Sequence, residues 1–212
     1  MNDPKPASTT RPAEPGEGNP WTVLGRTEIY RDPWLAVHQH EVLNPVGRPH
    51  RYTTVHLVKF GIGVLPLDSE GCTRLVGQYR FPLRAYSWEI PEGGGDRSLA
   101  PQEGAARELK EETGLTASRW LQVLDVDMSN GLSDERAFGY LAWDLSEGEA
   151  EPEEAEVLAQ RRLPLAELYA MIDRGEIRDA LTILVALRAR CLAADGALPP
   201  EVARSPSPEH DA

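Results

Sequence analysis

Residues 107–115 read Arg-Glu-Leu-Lys-Glu-Glu-Thr-Gly-Leu. On an α-helix, Glu108, Glu111 and Glu112 fall at i, i+3 and i+4 and share one face, with neighbouring Cβ atoms about 5–6 Å apart. Three carboxylates at that spacing repel one another, so a helix built for stability alone avoids them. A divalent cation reverses the balance, because clustered hard oxygen ligands beside a substrate phosphate are what Mg²⁺ takes up. Gly114, directly after the acids, suits the left-handed residue that ends a helix. The run reads as a metal-binding helix that stops just past its last ligand.

The rest of the chain has to hold that helix in place. Val23–Tyr30, Trp34–Val42 and Tyr52–Lys59 mix β-branched or aromatic residues with polar ones and are separated by Asp-Pro and Gly-Arg-Pro turns, so they read as strands. Ile62–Leu67 and Thr73–Tyr79 flank Asp68-Ser69-Glu70-Gly71, which predicts a hairpin. A glycine turn at Gly93-Gly94-Gly95 precedes the carboxylate helix, expected over Pro101–Thr113 with proline at its first position and Ala100 as a poor cap. Further strands are expected at Trp120–Asp127, Arg136–Trp143 and near Arg161–Leu163. Helices follow at Leu165–Arg174, ended by Gly175, and at Asp179–Ala194, with Asp179 as N-cap. Strands around one embedded helix, then closing helices, describe an α/β fold: a mixed central sheet with helices on its faces, plus an N-terminal antiparallel strand region.

Bulk properties narrow the function. The chain has 212 residues and a net charge of −12, room for one domain of about 150 residues with tails. Residues 1–20 and 197–212 are rich in Pro, Ser and charge and are expected to be mobile tails around a domain at 21–196. The acidity argues against nucleic acid as a partner, which would need a basic footprint. The most apolar stretch, Leu181–Leu187, is too short to span a bilayer, so no membrane role is expected. With no continuous apolar run at the N-terminus, the cytoplasm is the expected location. Cys72 and Cys191 make neither a disulfide framework nor a zinc site. The five histidines show no ligand spacing, and His38 and His40, alternating on one strand face, read as structural or solvated.

The segment Gly93–Leu115 resembles the Nudix box, G-x5-E-x7-R-E-U-x-E-E-x-G-U, where U is a bulky aliphatic. Gly93, Arg107, Glu108, Leu109, Glu111, Glu112, Gly114 and Leu115 fall in register. One position departs: Leu99 stands where the box has its first glutamate, a residue that in the family holds the box arginine and the loop. Arg107 then needs another partner, and Glu111, Glu103 or Asp96 could serve. The resemblance implies the Nudix α/β/α sandwich and hydrolysis of a nucleoside diphosphate linked to a second moiety, with Mg²⁺ or Mn²⁺ as cofactor. It assigns Glu108 and Glu112 as main metal ligands, Glu111 as a further ligand directly or through water, and the backbone carbonyl of Glu92 as another oxygen.

Flanking segments resemble the ADP-ribose and ADP-sugar pyrophosphatases within that family. Gln78-Tyr79-Arg80 and Trp88-Glu89-Ile90-Pro91 carry the likeness. It implies Arg80 on the phosphates, where a guanidinium makes paired contacts. Glu89 is implied on a ribose hydroxyl or the base, and Trp88 as a pocket wall. Ser129–Glu135 resembles the segment that meets the terminal ribose, with Glu135 as its contact. A glutamate of the acidic loop Glu147–Glu156 is implied as general base, Glu156 first and Glu154 second; Ala159 stands where relatives often carry a further glutamate. A homodimer is also implied, its strands at 21–58 crossing between subunits. The alternatives are another nucleoside diphosphate substrate (NADH, coenzyme A, a dinucleoside polyphosphate) and a non-catalytic Nudix sensor of ADP-ribose-like metabolites, which Leu99 and Ala159 keep open.

Overall fold

A computed structural model describes residues 18–151 and 157–198. The tails expected at 1–20 and 197–212 fall, but for their inner ends, outside the described residues. So do Glu154 and Glu156.

Three strands open the fold: β1 (Thr22–Arg31), β2 (Leu35–Leu43) and β3 (Pro49–Leu57) form an antiparallel sheet in the order β1-β2-β3. Next come β4 (Lys59–Pro66), β5 (Cys72–Arg80), β6 (Ala85–Glu89) and β7 (Glu92–Asp96), then α1 (Pro101–Thr113). They are followed by β8 (Thr116–Asp127), β9 (Arg136–Ser146), β10 (Ala159–Pro164), α2 (Leu165–Asp173) and α3 (Ala180–Ala194). The central sheet runs β7-β4-β9-β8 and is mixed, because β4 pairs parallel with β9 and antiparallel with β7. A second antiparallel sheet runs β10-β5-β6.

Alternation along the central strands explains the layers. Successive side chains point to opposite faces. Ile62 and Val64 of β4 and Phe138, Tyr140 and Ala142 of β9 join Ala105 and Leu109 of α1 in one cluster. Leu65 of β4 and Ala137, Leu141 and Trp143 of β9 join Leu168 and Met171 of α2 and Leu181 and Val185 of α3 in the other. The sheet therefore lies between α1 and the α2–α3 pair, the expected α/β/α sandwich. Leu109 is fully buried, which contributes about 2 kcal/mol to pinning α1 on the sheet.

Two expectations fail. β4 and β5 form no hairpin: the Asp68–Cys72 turn carries the chain out of the central sheet, and β5 pairs with β6 and β10 instead. Apolar residues on both faces of β4 mark a strand covered on both sides, and its hydrogen-bonded partners β7 and β9 are distant in sequence. The glycines at 93–95 are not a turn either. They form the middle of β7, in register with Ile62, Gly61 and Phe60 of β4.

The helix ends match the sequence reading. Pro101 opens α1, Ala100 offers no side-chain cap, and Gly114 closes it at φ 76° with its amide on Lys110 O. At α3, Asp179 Oδ2 accepts from Thr182 N at 2.6 Å.

Candidate active site

α1 lies against β7, and the contact is specific to its residue types. A Cβ on Gly93 would overlap the carboxylate of Glu108, so the bare backbone of β7 is the seat of that acid. Arg107 braces the same contact: Nη2 donates to Gly94 O at 2.9 Å and to Glu108 Oε1 at 2.5 Å, while Nη1 donates to Glu111 Oε2 at 2.6 Å. Glu111 thus takes the place of the missing box glutamate, as one of the expected partners, and Glu108 joins it. Of the other two candidates, Asp96 accepts from Ser98 N and Oγ at 2.7 Å. Leu99, in the position of that glutamate, is half-exposed.

Glu112 is 1% exposed and Glu108 7%. Charged groups are seldom that buried unless something compensates them. Glu112 Oε2 accepts from the amide of Glu92 at 2.9 Å, which ties α1 to the first residue of β7. Glu108, Glu111 and Glu112 offer carboxylate oxygens from one helix face, hard donors of the kind a divalent cation takes, but among the described residues the acids whose oxygens lie within 4.8 Å of one another are Glu89, Glu92 and Asp179.

A second carboxylate cluster sits on the other side of Glu92. Arg80 ends β5, and its Nε and Nη2 grip Glu89 at 3.0 and 2.5 Å, while Nη2 also reaches Glu92 Oε1 at 3.0 Å. Oxygens of Glu89, Glu92 and Asp179 lie within 4.8 Å of one another. Burial raises the Glu92 carboxyl well above the ordinary glutamate range, and the neighbouring Asp179 and Glu89 push it the same way. Asp179 was legible only as a helix cap. Its second role, closing this cluster, depends on where α3 packs, and the local pattern carries no sign of that.

Of the residues expected at the site, Arg80, Glu89 and Glu92 therefore come together, as do Gly93, Arg107, Glu108 and Glu111, with Glu112 linking the groups. Trp88 does not join them. It lies on the opposite face of β6 from Glu89 and packs edge-on to Tyr86, ring centroids 5.7 Å apart, over Gly77. The described hydrogen bonds of Glu135 are main-chain ones: its amide to Ser133 Oγ at 3.3 Å and its carbonyl from Met128 N at 2.9 Å, which close the 128–135 loop.

The acidic loop and β10 are anchored to α1 on the two sides of residues 152–156. Glu151 N donates to Glu111 O at 2.9 Å, and Gln160 Nε2 donates to Glu112 O at 2.9 Å. Gly114 supports the first anchor, since a Cβ there would overlap Gly148 O. Gly114 is thus needed twice, for the left-handed cap and for the loop's close approach. Both anchors use carbonyls of the last helical turn, which have no partner within the helix.

The sandwich carries an arginine-braced acidic helix seated on a glycine strand. Comparison with known proteins gives the family. The model for the NUDIX domain matches residues 58–183, and that for the nucleoside diphosphate sugar hydrolase N-terminal domain matches 21–55. The chain belongs to the Nudix family of hydrolases.

An ADP-ribose pyrophosphatase of Bacillus subtilis is 33% identical over 164 residues, 76% of this chain and 87% of that one. An ADP-ribose pyrophosphatase of Mycobacterium tuberculosis is 38% identical over 126 residues, 58% of this chain and 60% of that one. A crystal structure of an ADP compounds hydrolase shares the fold at a TM-score of 0.75 and 22% identity, covering 84% of this chain and 97% of that one. Among the described residues no helix is long and apolar enough to cross a membrane.

Proposed function

We propose that the protein hydrolyses the diphosphate of ADP-ribose or a related nucleoside diphosphate sugar, with Mg²⁺ or Mn²⁺, to AMP and a sugar phosphate. The observation that carries this reading is the seating of Glu108 and Glu112 against β7, in a chain whose likeness to an ADP-ribose pyrophosphatase extends over 76% of its length. A bound divalent cation would neutralise the diphosphate and lower the pKa of a coordinated water. Glu108, Glu112 and Glu111 would hold it, together with the Glu92 carbonyl. Arg107 keeps the first of these acids in place by its contacts to Gly94 O and Glu108.

Arg80 is the proposed phosphate contact. Glu89 and Glu92 take its Nε and Nη2, which fixes the plane of the guanidinium; Nη1 is the proposed donor to the phosphate. Glu89, Trp88 and Glu135 remain proposals for contacts to the base, the pocket wall and the terminal ribose. Glu156, or failing it Glu154, is proposed as the base that takes the proton of the attacking water. The anchoring of Glu151 and Gln160 to the helix carrying Glu111 and Glu112 supports a loop held next to the ligands. Hydrolysis breaks one P–O bond of the bridge, and the water's oxygen remains on the phosphorus it attacks. We further propose a cytoplasmic homodimer with strands 21–58 crossing between subunits.

The test is turnover. ADP-ribose, ADP-glucose, NADH, coenzyme A and diadenosine polyphosphates are incubated with the protein and Mg²⁺ or Mn²⁺, and products are resolved by chromatography. AMP from ADP-ribose is expected from the wild type, with Glu112→Gln slower by about 10³-fold. Binding without turnover of any substrate sinks the reading and leaves a sensor. Glu156→Gln is expected to lower kcat by about 10²-fold or more; a near-normal rate moves the base to Glu154.

A further inference from the structure

Two glycines seat α3 on the central sheet. Gly63 of β4 and Gly139 of β9 are register partners. A Cβ on Gly63 would overlap Leu181 and Ile90, and one on Gly139 would overlap Val185. Leu181 and Val185 are one helical turn apart and lie on the same face of α3. The start of the helix therefore presses on bare backbone at two adjacent points, and both side chains are buried. Interiors packed this tightly pass a displacement on instead of absorbing it.

That first turn meets the link between the two sheets. β6 ends at Glu89 in the second sheet and β7 begins at Glu92 in the central one, so Ile90 and Pro91 carry the chain across. Each step of the crossing is tied to a different element. Ile90 N donates to Thr182 Oγ1 of α3 at 3.0 Å. Pro91 O accepts from Val64 N of β4 at 2.9 Å. Glu92 N donates to Glu112 Oε2 of α1 at 2.9 Å. Thr182 and Ile90 are fully buried. The Ile90 amide lies past the last β5–β6 pair, Val76 with Glu89, so a side chain has to supply its acceptor. Thr182 is itself fixed, because its amide donates to Asp179 Oδ2 in the α3 cap at 2.6 Å.

The link carries the two acids that grip Arg80. Glu89 stands at its start and Glu92 at its end, and Arg80 reaches both through Nε and Nη2. Glu92 is the register partner of Gly63, so its side chain falls on the α3 face of the sheet, whereas the next residue, Gly93, turns to α1. The plane of the Arg80 guanidinium is thus set by two carboxylates whose spacing depends on how Ile90 is held.

We propose that Thr182 is a positioning residue for Arg80. Its hydroxyl fixes the Ile90 amide, the link then holds Glu89 and Glu92, and these two acids aim the guanidinium at the substrate diphosphate. This role rests on the reading of Arg80 as the phosphate contact. It gives α3 a part in the site, although no residue of that helix is assigned to metal or substrate. A methyl group in place of the hydroxyl leaves a buried amide without an acceptor, and the backbone relieves that by moving. Paired contacts from a guanidinium depend on its plane, so they are lost when the two acids shift.

Thr182→Val and Thr182→Ser in the full chain, each alone and combined with Arg80→Ala, test this by two measurements. In heteronuclear NMR, the Arg80 Nε proton, held by both Glu89 oxygens at 3.0 Å, is expected to be protected from exchange in wild type and Thr182→Ser and to lose that protection in Thr182→Val. In turnover of ADP-ribose with excess Mg²⁺, Thr182→Val is expected to lower kcat/KM about tenfold and Thr182→Ser by less than about twofold. Added to Arg80→Ala, Thr182→Val should cost less than about twofold more, because residues acting through one another do not add. Thr182→Ala takes the place of the valine variant if that chain does not fold, since it removes the hydroxyl without bringing a methyl group against the Ile90 amide. An Arg80 signal that stays protected in Thr182→Val overturns the proposal, and so do losses that add in full in the double variant, as those of a merely structural threonine would. If Arg80→Ala alone leaves kcat/KM at the wild-type value, Arg80 is no phosphate contact and the positioning role falls with that reading. If the wild type turns over no substrate, the hydrolytic reading fails, and the NMR comparison by itself decides whether Thr182 holds Arg80.

Discussion

Two arginine-clamped carboxylate clusters meet at Glu92, and they are built on opposite terms. On one side Arg107 holds Glu108 and Glu111 from within a single helix and ties that helix to β7 through Gly94 O. On the other, Arg80 of β5 holds Glu89 of β6 and Glu92 of β7, while Asp179 approaches from the cap of α3. The first cluster is local in sequence and the second joins four elements. The difference shows which interactions a motif can specify. A helix fixes the mutual geometry of residues three and four apart whatever surrounds it, whereas the Arg80 cluster exists only once two sheets and α3 have packed.

The clusters also differ in what neutralises them. The acids of α1 have one guanidinium among three carboxylates. The Arg80 cluster has the same ratio, and there burial, with Asp179 and Glu89, pushes the Glu92 carboxyl upward, while the oxygens of its three acids lie close enough together to hold a cation. Breaking each in turn separates these accounts. The largest effect is expected from Gly93→Ala. Its Cβ would meet the Glu108 carboxylate, the far end of a side chain that must swing out of its seat to admit it. A shift of about 1 Å in a ligand costs on the order of 10²-fold in rate. We expect kcat with ADP-ribose to fall by that much, while the fold, read by circular dichroism, persists. A rate within about twofold of wild type would mean that Glu108 is not held where metal chemistry needs it.

Arg80→Ala should act mainly on stability in the absence of metal. It removes the cation from Glu89, whose side chain is 3% exposed, and from Glu92. Losing one partner of a buried pair costs about 3–5 kcal/mol. Arg80 is itself 34% exposed, so solvent screening reduces the expected loss to about 2 kcal/mol in urea unfolding. Adding Glu89→Gln should restore part of it. If the double variant is as unstable as the single, the pair is not coupled and the second cluster is no unit.

How much was legible follows the same division. The limits of α1, its proline start and its left-handed glycine end were readable because each is set by residues within one turn. The arginine's substitute partner was readable too, since Glu111 is one helical turn away. The hairpin assigned to β4 and β5 failed because turn chemistry between two strands says only that the chain reverses, not that the flanks pair. The glycines at 93–95 read as a turn because flexibility is the usual reason for such a run. Here they form a strand, and at Gly93 the reason is space for an acid. Trp88 carries a motif position, and strand alternation sets it on the face of β6 opposite Glu89.

Glu92→Gln sharpens the comparison through pH. Burial raises the Glu92 carboxyl first, Asp179 and Glu89 add to it, and Arg80 opposes them. The folded state then retains a proton that an unfolded glutamate, of ordinary value 4.5, has lost. Stability is fully present below that value and is lost as pH rises toward the folded pKa, because the folded state binds more protons across that window. Glutamine keeps the shape and does not titrate. The variant's advantage in Tm, measured with chelator, should therefore be small near pH 4.5 and grow as pH rises. A difference that stays flat across that range would mean that Glu92 ionises normally.

The smallest effect is expected where the box itself is broken. Leu99→Glu restores the family's residue at the one position that departs, and the motif alone says that Arg107 should gain its missing partner. The structure says otherwise. Arg107 already bonds Glu111, Glu108 and Gly94 O, and position 99 is 53% exposed, where an added ion pair contributes about 0–1 kcal/mol. A fourth acid near Glu108 and Glu111 also competes for the same guanidinium instead of supplying a new one. We expect Tm to move by no more than a degree or two and kcat to change by less than about threefold. A large gain in metal affinity, read by titration of Mn²⁺, would show that Glu111 is drawn away from the metal by its bond to Arg107 and released when position 99 takes over. The substitute brace would then carry a measurable cost in metal affinity.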